Sequence, residues 1–252
     1  MEGGGFMIKF ENVSKVYPNG TKGLTNINLT IEQGEFVAII GTSGAGKSTL
    51  IRCVNGLNNI TQGNLLVNDT DVAKLKGKEL RQFRRHVGMI FQSYNLVPRA
   101  TVLKNVMFAR VPDMNLFKVI FGLFSKEDKL AALDSLNKVG ILDKAFIRAD
   151  QLSGGQQQRV SLARALTQDT DILLADEPVS ALDPVTAKEV MDDFKRINED
   201  LNKTILLNIH HVELALEYAS RIVAIKKGEL VYDGPSQNVT KAILDEVYRK
   251  EA

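Results

Sequence analysis

Eight consecutive residues, Gly41-Thr42-Ser43-Gly44-Ala45-Gly46-Lys47-Ser48, place glycines, a lysine and a hydroxyl at the spacing G-x-x-x-x-G-K-S. Each residue type suits one task in holding a polyphosphate. Glycines let backbone N–H groups curl around phosphate oxygens without Cβ clashes. Lys47 brings positive charge to the β- and γ-phosphates, and the Ser48 hydroxyl is a magnesium ligand. Thr49 completes the predicted phosphate-binding set. The context agrees. The apolar run Phe36-Val37-Ala38-Ile39-Ile40 reads as a strand covered on both faces. Residues 48–55 read as a helix stopped by Gly56, with its positive end turned to the anion.

A second constellation is Ile172-Leu173-Leu174-Ala175-Asp176-Glu177, an apolar strand ending in two carboxylates. Carboxylates at such a strand end fall where α/β proteins bind ligands. Asp176 is placed to hold magnesium through its water shell, and Glu177 to polarise an attacking water. A third is Leu152-Ser153-Gly154-Gly155-Gln156-Gln157-Gln158-Arg159. Ser153 is an N-cap residue type, and the two glycines leave backbone donors open, which makes a second anion site.

The third run resembles the signature motif of ABC ATPases, and the other elements of that family follow in order. The resemblance covers residues from about 7 to 250. It implies a P-loop NTPase (RecA-like) α/β core with an antiparallel β subdomain and an inserted helical subdomain. It implies Mg2+ and ATP as cofactors, with Lys47, Glu177 and His210 in catalysis and Ser48, Gln92 and Asp176 around the metal. Tyr17 lies where relatives stack an aromatic ring on adenine. Gln92, after the strand at 88–91, matches the loop glutamine that couples to a permease. Ser180-Ala181-Leu182-Asp183 matches the loop after the catalytic glutamate, with Asp183 reaching the opposite subunit. Two histidines follow the strand at 204–209; Ala215, five residues after His210, selects His210 over His211 as the γ-phosphate contact. In the family, Ser153, Gly154, Gly155 and Gln156 meet ATP held by a second copy of the chain. The implied partners are that second copy, transmembrane permease subunits and, through them, a substrate-binding protein. The implied location is peripheral, at the cytoplasmic face of the cell membrane.

Several segments are most similar to the ATPases of phosphonate importers: Ile90-Phe91-Gln92-Ser93-Tyr94-Asn95-Leu96-Val97, Thr101-Val102-Leu103-Lys104-Asn105-Val106, the aromatic stretch from Leu116 to Phe124, the run His210 to Tyr218, and Leu230-Val231-Tyr232-Asp233-Gly234. None of these touches cargo, so a phosphorus compound as cargo follows from likeness only. The alternatives are an importer or exporter ATPase for another cargo, or an ABC ATPase that moves none. Repair members carry a long coiled coil and translation members two ATPase domains; this chain has neither. An ATP-binding regulator without hydrolysis is opposed by Glu177 and the histidine.

The elements that must position these residues follow from periodicity. Ile8, Phe10 and Val13 alternate loosely, and Ile27, Leu29 and Ile31 strictly, as strands with one wet face. Leu130, Leu133, Leu136 and Val139 recur at three within a helix around 126–140, and Val190, Phe194, Ile197 and Leu201 mark an amphipathic helix. Strands are expected at 87–91, 172–175 and 204–209, and residues 222–225, Lys227-Gly228 and 230–232 read as a hairpin. Strands alternating with helices predict a parallel sheet. One domain over 7–252 is expected, with 7–92 and 159–252 as core and 93–158 as the helical subdomain. Glu2-Gly3-Gly4-Gly5 reads as an added leader, so 1–6 stand outside it. Apolar residues between 116 and 124 exceed one helix face and suit either a permease-docking patch or packing within the subdomain.

The 252 residues carry 32 basic and 30 acidic groups, a net charge of +2, which gives no electrostatic case for nucleic acid. Arg81, Arg84 and Arg85 read as a solvated helix face. The single Cys53 excludes an internal disulfide and reads as a small buried hydrophobe. No apolar stretch approaches the roughly 20 residues of a spanning helix.

Overall fold

The computed structural model describes residues 6–249. The chain opens with an antiparallel pair, β1 (Phe6–Val16) and β2 (Lys22–Glu32). Ile8, Phe10, Val13, Ile27, Leu29 and Ile31 are all buried. The loose alternation of β1 has a cause. Its register with β2 shifts between Phe10 and Val13, where Asn12 adopts a left-handed φ of 50°. β3 (Phe36–Ile40) is buried at every position, as a strand covered on both faces must be. It feeds the glycine loop and α1 (Lys47–Val54). β4 (Gln62–Val67) and β5 (Thr70–Asp71) complete a sheet in the order β2-β1-β4-β5. Neither was legible in the sequence. The first half of β4 is polar, and pairing with β1, Phe10 opposite Leu65, makes it a strand.

After α2 (Gly77–Phe83) and β6 (Val87–Phe91), the described residues up to β7 form no strand. Here lie α3 (Val102–Met107), α4 (Leu116–Phe121), α5 (Lys126–Lys138) and α6 (Gly154–Thr167). α6 runs unbroken through residues 158 and 159. Then come β7 (Ile172–Asp176), α7 (Pro184–Leu201), β8 (Thr204–Asn208), α8 (Val212–Tyr218), β9 (Arg221–Lys226), β10 (Glu229–Pro235) and α9 (Lys241–Tyr248). The second sheet has the order β10-β9-β3-β8-β7-β6; neighbours from β9 to β6 are parallel and β10 is antiparallel. Lys227 and Gly228, with φ of 50° and 83°, make the two-residue turn of the β9–β10 hairpin.

Two apolar clusters sandwich the parallel sheet. One joins it to α1 and the antiparallel sheet; the other joins it to α3, α5, α6 and α7. On α5, Leu136 is buried but Leu130 is 56% exposed, so the spacing of three overreaches the buried stripe at its start. Arg84 corrects the reading of a solvated basic face. Its Nε and Nη2 donate to Asn55 O and Gly56 O, at 3.0 and 2.9 Å, and so satisfy carbonyls where α1 ends. Cys53 is buried on α1, and burial pushes its thiol up to about 12. Because the thiolate is the nucleophile, the folded chain should resist a maleimide and react once unfolded in guanidinium; prompt labelling of the folded chain would contradict its packing.

Among the described residues no helix is long and apolar enough to cross a membrane. Phe117, Phe121 and Leu123 are nonetheless exposed, the two rings 4.6 Å apart at their centroids, while Phe124 turns inward against Phe108.

Candidate functional site

The register of the parallel sheet sets four residues in one row at its carboxyl edge. Ile39 lies opposite Asn208, Asn208 opposite Asp176, and Asp176 opposite Phe91. The loops leaving β3, β6, β7 and β8 therefore start side by side, where α/β sheets bind ligands.

The loop after β3 turns into α1 at Gly46, whose φ is 112°. A Cβ there would overlap Gly23 O, so only glycine fits. Gly46 is also the N-cap of α1 and offers no side-chain cap, which leaves the first N–H groups of the helix directed outward. From behind, Gly228 N donates to Ala45 O at 2.8 Å, so the hairpin turn braces the loop. The Lys47 side chain lies over the loop, Nζ donating to Gly41 O at 2.8 Å and Thr42 O at 3.0 Å. Burial lowers its pKa, and the nearby Glu177 and Asp176 carboxylates partly oppose that. A cleft of about 170 Å³ is lined by Tyr17, Ser43, Gly44, Ala45, Gly46, Lys47, Ser48, Thr49, Glu177 and His210. Tyr17 is anchored by its hydroxyl, 3.0 Å from Thr49 Oγ1 and 3.1 Å from the Asn58 amide that donates to it.

Asp176 is buried and fully engaged. Its Oδ1 accepts from Ser48 Oγ and from Asn208 Nδ2, both at 2.7 Å; its Oδ2 accepts from Arg52 Nε at 3.2 Å and Nη2 at 2.9 Å. Among the described residues no three His, Cys, Asp or Glu side chains could hold a metal by themselves. The hard oxygens of Ser48 and Asp176 fit a magnesium ion that takes its remaining ligands from phosphate and water, the usual mode for that ion. Glu177 has a φ of 55°, strained for this residue type, and its N–H donates to Asn208 O at 3.0 Å. His210 Nε2 donates to Glu177 Oε1 at 2.7 Å, since an ionised carboxylate only accepts. His211 occupies the N-cap position of α8 and lines a different hollow, beside Lys188 and Glu217.

Gln92, which follows the residue paired with Asp176, bonds to neither Ser48 nor Asp176. Its Nε2 donates to Ser180 Oγ at 3.1 Å, and that hydroxyl donates to Glu177 O at 3.0 Å. The loop after Gln92 holds two consecutive left-handed residues, Tyr94 and Asn95, whose carbonyls accept from Arg164 on α6 at 3.0 and 2.6 Å.

At the start of α6, Ser153 Oγ accepts from Gln156 N and Gln156 Oε1 accepts from Ser153 N, a reciprocal cap. Gly155 is fixed by close approach, because a Cβ there would overlap Thr186 Cγ2. Asp183 caps the neighbouring α7, accepting from Val185 N and Thr186 N at 3.1 Å each; hydrogen bonding from the Thr186 side chain first, and then from the Thr186 and Val185 backbone, lowers its pKa. Ser153, Gly154, Gly155, Gln156 and Asp183 thus form a second cluster, and none lines the Tyr17–His210 cleft. Arg52, Asn208 and Arg164 were missed in the sequence. No sequence signal marks them; the packing of α1 on β7 and β8 is what brings Arg52 to Asp176.

A glycine loop before α1, a carboxylate pair at the end of β7 and a capped glycine turn at the start of α6, all set around one parallel sheet, define a P-loop nucleotide hydrolase. The sequence matches the ABC transporter family profile over residues 24–180. The chain belongs to the ABC transporter family and is an ABC-type ATPase. It is 89% identical over 245 residues to the phosphonates import ATP-binding protein PhnC of Lactococcus lactis subsp. cremoris (strain SK11), covering 97% of this chain and 100% of that protein. The protein of the same name from Staphylococcus aureus (strain USA300) is 55% identical over 241 residues, 96% of this chain and 94% of that one. Among solved structures, the ATP-binding cassette MJ0796, in a dimeric post-hydrolysis state with ADP and Pi, is similar with a TM-score of 0.80 at 36% identity, over 92% of this chain and 100% of that chain.

Proposed function

We propose that this chain powers an importer of phosphonates or related phosphorus compounds, working as a pair of copies beneath membrane permease subunits at the cytoplasmic face. The observation that carries the hydrolytic part is the meeting of Lys47, Glu177 and His210 in one cleft at the N-terminus of α1. The names of the close relatives support the cargo.

In this reading the triphosphate takes Lys47 from the carbonyls of Gly41 and Thr42 and meets the open N–H groups of the loop. The Tyr17 ring stacks on adenine. Ser48 and Asp176, with Gln92 brought up from its loop, would hold magnesium, which would supply positive charge at the phosphate oxygens. Glu177 accepts the proton of the attacking water, and His210 holds the Glu177 carboxylate in place. Ser153, Gly154, Gly155, Gln156 and Asp183 of a second copy close over the nucleotide, which gives the separate cluster on α6 and α7 its purpose. Differential affinity drives the cycle: ATP favours the closed pair, and its hydrolysis products do not. The chain from Gln92 through Ser180 to the main-chain carbonyl of Glu177 offers a route by which a permease pressing on residues 93–101 reaches the backbone that carries the catalytic carboxylate. The exposed Phe117, Phe121 and Leu123 supply an apolar surface for that permease, and a substrate-binding protein joins it from the other side of the membrane.

Tyr17→Ala tests adenine stacking. Base–aromatic stacking is worth about 1–3 kcal/mol, so KM for ATP should rise about tenfold with kcat little changed. An unaltered KM would remove Tyr17 from the site. The cargo is tested with the chain reconstituted with its permease and binding protein in vesicles. An alkylphosphonate should stimulate ATP hydrolysis and sulfate should not; equal indifference to both would overturn the phosphonate reading while leaving the ATPase intact.

A further inference from the structure

Asn208 is out of place by composition. It ends β8, Thr204-Ile205-Leu206-Leu207-Asn208, is 0% exposed, and interrupts a row of buried apolar side chains. A buried amide is costly unless its hydrogen-bonding capacity is used, and a leucine would pack there without that cost. Both of its side-chain bonds go to the Ser48–Asp176 pair. Nδ2 donates to Asp176 Oδ1 at 2.7 Å and to Ser48 Oγ at 3.1 Å. The direction of the amide is fixed, because a carboxylate accepts and only the NH2 end donates. The backbone carbonyl of the same residue accepts from Glu177 N at 3.0 Å, where Glu177 turns through its left-handed φ of 55°. One residue therefore ties Ser48, Asp176 and Glu177 together. Its remaining acceptor, Oδ1, is buried and has no hydrogen-bond partner.

We propose that Asn208 is a positioning residue for magnesium. It holds Ser48 and Asp176 as a pair, locks that pair to the backbone of Glu177, and presents Oδ1 as an acceptor for a water of the magnesium shell. The proposal rests on the reading of Ser48 and Asp176 as the magnesium-holding residues. Outer partners of metal ligands act by orienting them, and their loss weakens metal binding about 10–100-fold.

The test compares the parent chain with Asn208→Leu, which keeps the branched shape and heavy-atom count and suits the apolar strand, and Asn208→Thr, which keeps a short donor on a strand-favouring stem. Two quantities are measured: the Mg2+ concentration for half-maximal ATP hydrolysis, and the rise in melting temperature that Mg2+ adds at saturating ATP. Asn208→Leu should need about tenfold more Mg2+ or above and lose most of the Mg2+-dependent rise, while melting close to the parent without ligands. Asn208→Thr should fall between the two. An asparagine with a structural role alone would lower the ligand-free melting temperature and leave the half-maximal Mg2+ unmoved. That pattern, in either variant, overturns the proposal. A parent whose hydrolysis ignores Mg2+ would overturn the magnesium reading and this inference with it; a Mg2+-dependent parent with unshifted variants overturns the inference alone.

Discussion

Glu177→Gln should abolish steady-state ATP hydrolysis while leaving nucleotide binding in place. The substitution keeps the side chain's length and its acceptor oxygen for His210 Nε2, now 2.7 Å from the carboxylate. It removes the only property that binding does not need, the capacity to take a proton from water. General-base catalysis contributes about 10²–10⁴-fold, equivalent to about 3–5 kcal/mol at 1.36 kcal/mol per factor of ten. Measured turnover should fall by at least the lower figure, with the ATP affinity within about twofold of the parent. The strained backbone at Glu177, φ 55°, is held by Asn208 O and by the Ser180 hydroxyl, so the variant should fold as the parent does. Retention of most of the activity would move the base elsewhere.

Lys47→Ala should act at an earlier step. The lysine is 4% exposed and makes two bonds to loop carbonyls, which it must exchange for phosphate oxygens. Hydrogen bonds to charged groups are worth about 1.5–3 kcal/mol each, and the lost charge lies in a site where burial already lowers the lysine's pKa. ATP affinity should fall by about 10²-fold or more, visible as loss of binding of a fluorescent ATP analogue. The two variants therefore separate: Glu177→Gln binds and does not turn over, and Lys47→Ala does not bind. Equal affinity in Lys47→Ala would mean that the N-terminus of α1 and the loop N–H groups hold the triphosphate without it.

What the sequence disclosed and what it hid divide by the range of the interactions. The glycine loop, the strand running into Asp176 and Glu177, and the capped turn at Ser153 are short-range patterns in which residue type and local conformation coincide, and the structure places each at the end of the element expected. The strict alternation of Ile27, Leu29 and Ile31 survived because one face of β2 is wet. β4 was invisible because its strand character comes from pairing with β1 rather than from its own residues. Asn208 and Arg52 were invisible for a related reason. No motif marks an asparagine at a strand end or an arginine on a helix; only the register that sets Asn208 beside Asp176, and the packing of α1 on β7 and β8, turns them toward the carboxylate. Arg84 was misread because a basic cluster says nothing about which members meet a helix end. The spacing to Ala215 selects His210 over His211 in the sequence; in the structure His210 bonds Glu177 while His211 caps α8, geometry compatible with that choice.

The separation of the two clusters, the Lys47 cleft and the Ser153–Asp183 turn, makes the pairing of copies the central claim of the account. Light scattering of Glu177→Gln, with and without ATP, tests it most directly. The account predicts a doubling of mass when ATP is added, reversed by removing the nucleotide and abolished by a second substitution, Ser153→Arg, that blocks the capped turn. A single-copy mass at every ATP concentration that saturates binding would contradict it.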